Sequence, residues 1–402
     1  MTHENSPFTP GYPVPIEFFV GRKSQIDLLL KKIISASTGR LQIAFLCGER
    51  GIGKSSLAYF VKILSERNHH FVGIHNYLGG VTSLTVMVRR ILDNLLNESV
   101  DKAWHEKIIQ SFKNHVKRVG LFGVSLELDI DPKDLDHTVN NFAPTLHKIS
   151  DQLKTAEKKG LLVILDDING LASSAEFAHW IKSLVDTIAT SDKNIPLCLL
   201  LVGLEERRQS LVKLQPSLSR VFDIIDIAAW SDDESKEFFS EAFSKVNVDI
   251  EQKALENMVF AAGGLPVMAH EIGDAVFNID KDNYIDGDDA YKGIFNAADI
   301  VGRKHLEPQV FKAIQSKKYR SILKKVATKP FGFEFQRKEV IEILGRPEEK
   351  VFDNFLTRMT ELGVIIRSPE KGKGYYKFRN LLHYLYFLIT AGKTKNTISA
   401  SK

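Results

Sequence analysis

The chain has 402 residues, 44% hydrophobic and 26% charged, the proportions of an ordinary globular protein with length for two or three domains. Its two cysteines, Cys47 and Cys198, lie in apolar runs, which argues against a disulfide framework or zinc cluster and for a reducing, cytoplasmic setting. No run approaches the ~20 apolar residues of a membrane span, and the polar, Pro-rich start MTHENSPFTPGYPVP does not read as a signal peptide, so no membrane partner is expected.

The net charge of +4 conceals an imbalance: residues 303–402 hold 22 Lys/Arg against 9 Asp/Glu. A basic C-terminal third on an acidic body suits a polyanion or an acidic protein face. A merely solvated basic surface is the bland alternative.

In chain order, residues 1–15 read as a disordered arm. Ser24–Ile34 places Ile26, Leu29, Leu30, Ile33 and Ile34 on one helical face. The run QIAFLC (42–47) reads as a buried strand, and residues 54–65 as a helix through Leu57, Phe60, Val61 and Leu64. HFVGIHNYL (70–78) resembles a second strand. A mostly helical insert follows over about 80–158, with helices near 83–96, 101–117 and 140–158 and a hairpin over 118–130. LLVILDD (161–167), PLCLLLVG (196–203) and VFDIIDIA (221–228) are further strands. Strands separated by helical patterns predict βαβ units and a parallel sheet. The expected fold is α/β, with a parallel-sheet core over 16–230.

After Trp230 the pattern turns helical. Ser231 and Glu234 form a capping box, and helices near 232–246, 251–262 and 266–278 predict a helical lid over 231–300. Helices near 318–328, 337–344 and 348–362, then short strands at 364–368 and 374–378, predict a winged-helix domain over 301–390. Residues 391–402 lack apolar periodicity and read as a free tail.

The chemistry is densest in CGERGIGKSS (47–56), which fits G-x-x-x-x-G-K-[ST] from Gly48 to Ser55. Phosphates need several inward N–H groups and close backbone approach. Gly48, Gly51 and Gly53 supply the room, Glu49, Arg50 and Ile52 complete the loop, and the following helix aims the N–H groups of its first turn, through Ser56, at the anion. Lys54 reaches the β- and γ-phosphates and the Ser55 hydroxyl can ligate Mg²⁺. The implied ligands are ATP and Mg²⁺. LLVILDD carries two acids to a strand end, where open α/β sheets bind ligands. Asp166 is the expected Mg²⁺-side acid, acting through water, and Asp167 the group that orients or deprotonates the attacking water.

Three further stretches carry a family resemblance. FFVGRKSQI (18–26) resembles the hydrophobic-Gly-Arg box of STAND-class and initiator-type AAA+ ATPases, LVILDDIN their acidic strand, and GGLP (263–266) the Gly-x-Pro motif of the STAND lid. The resemblance spans about residues 14–280 and implies that Val20, Gly21 and Arg22 line the adenine side and that Pro266 closes it. PSLSRVFDI (216–224) resembles the AAA+ segment carrying the arginine finger, which makes Arg220 the candidate, with a local salt bridge as the alternative. Gly203 stands where AAA+ proteins keep a polar sensor; Arg207 and Arg208 follow it, either as substitutes or as a solvated helix face. His270 is either a nucleotide-facing lid histidine or a core residue. The lid helix holds no sensing arginine, which favours the STAND group over the initiators.

In the C-terminal third, the third helix carries Glu348, Glu349, Asp353 and Glu361 against Lys350 and Arg358, a poor face for phosphates. Sequence-independent DNA contact would run through Lys371, Lys373, Lys377 and Arg379; protein docking or autoinhibition is the alternative. The expected function is a slow, switch-like ATPase that forms a homo-oligomer and engages an effector protein or DNA. A DNA-loading or transposition-type ATPase and a non-catalytic scaffold are the competing readings.

Overall fold

The computed structural model describes residues 5–12, 14–97, 116–117, 127–128, 135–136, 138–139, 142–192, 194–328 and 331–399. They fall into two compact units, Arg22–Ala228, and Met1–Gly21 with Ala229–Lys402.

The unit Arg22–Ala228 contributes strands β1 (Gln42–Gly48), β2 (Phe71–Tyr77), β3 (Val116–Lys117), β4 (Glu127–Leu128), β5 (Gly160–Asp166), β6 (Leu197–Gly203) and β7 (Asp223–Ile227). Five of them make one sheet in the order β2-β5-β6-β1-β7, and every pairing in it is parallel. Strands β5 and β6 are buried from end to end. Such strands read as unbroken apolar runs because helices cover both faces of a parallel sheet. Helices α1 (Lys23–Ala36), α2 (Lys54–His69) and α3 (Leu84–Asn97) come early in the unit. Three more span Phe142–Thr155, Ala175–Ala189 and Glu205–Leu214. The helix expected at 101–117 lies almost wholly outside the described residues; of the hairpin region, β3 and β4 pair antiparallel.

Register fixes the level of the strand ends. Asp166 pairs with Val202, Val202 with Leu46, and Cys47 with both Gly203 and Asp226. The ends of β1, β5, β6 and β7 therefore share one edge, beside the switch in strand order around β1.

The second unit has two cores. The first gathers Phe238, Phe239, Phe243, Met258, Ile272 and their neighbours, around helices Asp232–Ser244, Gln252–Ala262, Pro266–Phe277 and Gly287–Val301. The last of these was missed by the sequence reading; Asp286 caps it by accepting from the N–H groups of Asp288 and Asp289 at 2.8 and 2.9 Å. Strands β8 (Asp249–Ile250) and β9 (Tyr284–Ile285) pair beside it. The second core, including Ile322, Phe352, Phe355 and Phe378, joins helices Lys317–Ala327, Arg337–Ile343 and Phe352–Glu361 to a three-stranded antiparallel sheet. That sheet is ordered β10 (Glu334–Gln336), β12 (Tyr375–Phe378), β11 (Ile365–Arg367).

Two terminal expectations are corrected. Phe8 is 3% exposed and stacks edge-on against Phe238 and Phe243 at 5.7 and 5.0 Å, so residues 5–12 are not a disordered arm. One aromatic anchor outweighs a polar, Pro-rich context. Residues 391–399 continue a helix that begins at Leu381, where a free tail was expected. The apolar turns before them start the helix, and adding residues to an existing helix is far cheaper than nucleating one.

Candidate nucleotide site

The loop after β1 is built from constrained backbone. Gly48 has φ 154°, and a Cβ there would lie 2.7 Å from the Ile227 carbonyl oxygen and 3.1 Å from Ile52. Gly51 and Gly53 also have positive φ, and Gly53 is the cap from which α2 starts at Lys54. Glu49 and Arg50 are exposed at the crest, whereas Ile52 is buried. The loop thus hangs from one apolar side chain, with its peptide groups and the α2 N-terminus open to an anion.

The Lys54 ammonium curls over this loop and donates to the carbonyls of Gly48 at 3.0 Å and Glu49 at 2.7 Å. Burial lowers its pKa, against the opposing pull of Asp166 and Asp167. Both acids of the β5 end thus lie within electrostatic reach of the loop lysine.

Asp166 and Asp167 differ sharply. Asp166 is buried, and its Oδ2 lies 2.9 Å from His75 Nε2 on β2. Asp167 is exposed, with φ 57°, and accepts a hydrogen bond from Asn169. Left-handed backbone is uncommon outside glycine and clusters at functional sites. The strand end thus fixes one acid in the interior and turns the next into solvent.

Arg22, expected on the adenine side, is 6% exposed and donates to the Ala228 carbonyl at 2.6 Å and the Ile52 carbonyl at 3.2 Å. It ties the phosphate loop to the chain leaving β7. The guanidinium spreads its donors over a planar fork, which suits two carbonyls on separate segments.

The edge beside the loop holds Cys47, Glu205 and Asp226, whose ligand atoms lie within 4.8 Å of one another. Cys47 Sγ is 2.8 Å from Asp226 Oδ1, and burial with the nearby carboxylates pushes its thiol well up. Arg208 donates to both Glu205 oxygens at 2.8 and 2.5 Å and holds that carboxyl down at about 2. Cys47 is already bonded to Asp226 and Glu205 to Arg208, so this cluster reads as structural. Arg208 is thereby committed to Glu205, and Arg207 donates to Ser173 at 3.2 Å. Arg220 is exposed at the end of the turn Pro216–Arg220 and makes no salt bridge among the described residues.

Val20, Gly21 and Pro266 belong to the other unit. Val20 is buried in its aromatic core. In GGLP, Gly263 ends one helix with φ 57° and Pro266 opens the next. Between them Gly264, with φ 71°, leaves no space for a Cβ beside the Trp230 carbonyl. His270 is a core histidine there: Nδ1 accepts from the Thr9 N–H at 3.2 Å, and burial lowers its pKa to about 4.

Of the proposed nucleic-acid contacts, Lys371 pairs with Glu334 and Lys377 stands opposite Glu334 in the β10–β12 register. Lys373 and Arg379 are exposed. The acidic third helix is also partly neutralised: Arg337 grips Asp353 at 2.8 and 2.9 Å, and Arg358 pairs with Glu361.

The loop, Lys54, Ser55 and Asp166 fit a nucleoside triphosphate with Mg²⁺: the backbone cradle is one a Cβ would fill, and the metal-side donors are hard oxygens. Residues 19–201 match the family model described as AAA ATPase domain. No curated protein sequence matches the chain. Among solved structures, the Walker-type ATPase paby2304 of Pyrococcus abyssi matches at a TM-score of 0.54 and 16% identity, over 96% of this chain and 99% of that one. The Aeropyrum pernix ORC2 protein, solved as ADPNP-ADP complexes, matches at 0.57 and 16%, over 97% and 98%. At that identity the likeness is one of fold, and the fold is that of a P-loop NTPase. No helix among the described residues is long and apolar enough to cross a membrane.

Proposed function

We propose that this chain is a slow, STAND-type regulatory ATPase whose nucleotide state is read out by residues 229–402. The observation that carries the reading is the glycine-built loop after β1, bearing Lys54, on the same sheet edge as Asp166 and Asp167 at the end of β5. The loop N–H groups and Lys54 bind the β- and γ-phosphates, Ser55 and Asp166 hold Mg²⁺, and Asp167 orients the attacking water. Bound Mg²⁺ supplies charge neutralisation at the phosphates. Asp167 carries its carboxylate on a short side chain and shares it with Asn169, which suits slow turnover. Arg220, exposed and without a salt bridge among the described residues, is proposed to act on the γ-phosphate of a neighbouring copy.

The test is phosphate release and ATP binding on the full chain. Lys54→Ala removes ATP binding; Asp167→Asn keeps binding and loses turnover. Retained ATP affinity in Lys54→Ala would refute the loop assignment, and unchanged turnover in Asp167→Asn the catalytic one.

The charge imbalance of residues 303–402 favours a second reading, in which the C-terminal domain is a winged helix that binds duplex DNA. Lys373 is its best candidate, since Glu334 already offsets Lys371.

A further inference from the structure

His75 lies on β2, the edge strand next to β5, and no motif drew attention to it. It is 4% exposed and Asp166 2%. A buried carboxylate is costly unless hydrogen-bonded. Among the described residues, His75 Nε2 makes the one hydrogen bond to the Asp166 carboxylate, at 2.9 Å. The carboxylate only accepts, so Nε2 carries the hydrogen and Oδ2 is committed to it.

The ring is held on several sides. Tyr77 stacks on it with centroids 4.3 Å apart and planes 19° from parallel, and Tyr59 of α2 lies at 6.4 Å. Helix α3 fixes the same strand end: Arg90 donates to the Tyr77 carbonyl at 2.7 Å, and Asn94 to the Asn76 side chain at 2.9 Å. Yet His75 Nδ1 is buried with no hydrogen-bond partner among the described residues. An orphaned buried polar atom needs a reason. An apolar side chain would fill the position without one, so the histidine's return is its contact with Asp166.

We infer that His75 is a positioning residue for the metal-side acid. By engaging Oδ2 it fixes the plane of the carboxylate and would leave the other oxygen available on the Mg²⁺ side, directly or through water, as outer-shell hydrogen bonds do for metal ligands. The inference rests on the reading of Asp166 as the Mg²⁺-side carboxylate.

The test uses the full chain, Mn²⁺ as a paramagnetic stand-in for Mg²⁺, and two variants of similar size. His75→Gln keeps an N–H donor; His75→Met does not. Mn²⁺ affinity of the ATP complex is read by electron paramagnetic resonance, and metal-free affinity by a fluorescent ATP analogue in EDTA. In His75→Met, Mn²⁺ affinity falls about tenfold with metal-free affinity unchanged, and His75→Gln recovers most of the loss. Unchanged Mn²⁺ affinity in His75→Met overturns the inference. So does an equal loss of metal-free binding in both variants, which marks a purely structural histidine. The underlying reading fails separately, and takes the inference with it, if Asp166→Asn leaves Mn²⁺ affinity intact.

Discussion

Gly48 has no room for a side chain, and that single fact constrains the whole site. A methyl group there would press on the Ile227 carbonyl at 2.7 Å in a backbone conformation L residues rarely adopt. Gly48→Ala is expected to cost ~1–3 kcal/mol and to weaken ATP binding, measured by denaturant melts and nucleotide titration. Arg22→Ala leaves the Ile52 and Ala228 carbonyls without their charged donor. It should destabilise the nucleotide unit by ~1.5–3 kcal/mol, and Arg22→Lys should recover little of it. Lys54, Ser55 and the two acids were legible because phosphate binding demands fixed residue types at fixed spacing. Arg22 was legible as a candidate, but its bonds to Ile52 and Ala228 were not, since a local motif does not show which distant carbonyls a side chain will reach. His75 was not legible at all. In the run HFVGIHNYL it reads as one more strand residue, and only the pairing of β2 with β5 brings it to Asp166.

At the level of elements, apolar runs and helical periodicity located the five parallel strands and most helices, because burial on both faces writes itself into composition. The N-terminal miss has a simple cause: one contact overrode a local pattern. Phe8 anchors a segment that reads as disordered, helped by Gly273, where any Cβ would overlap the Phe8 ring. Phe8→Ala should lower the stability of its unit by ~3–5 kcal/mol, seen as an earlier thermal transition. Two histidines of the same unit should make its stability pH-dependent. Burial holds both His270 and His383 at about 4, below the ordinary 6.5. The unfolded rings take up protons first as pH falls, so stability is full above about pH 6.5 and is lost progressively as pH drops toward 4. Melting at pH 7 and pH 5 should differ, and His270→Phe should remove part of that difference. An identical difference in the variant would exclude His270 as a contributor.

For the whole molecule, charge and nucleotide are the two levers. If residues 303–402 contact DNA, affinity falls steeply with salt. Lys373→Ala should then flatten the salt slope by ~1, whereas Lys371→Ala changes it less because Glu334 is already its partner. Binding without salt dependence would point to a protein partner for this basic region. Partners of this kind are the least legible feature of the sequence, since a surface charge pattern states a chemistry and no identity. The nucleotide claim is central, and single-turnover phosphate release from Mg²⁺·ATP tests it most directly. Slow release by the native chain, with ATP still bound but release reduced at least ~100-fold in Asp167→Asn, is the predicted result. Equal release by both proteins, or no ATP binding by the native chain, would contradict it.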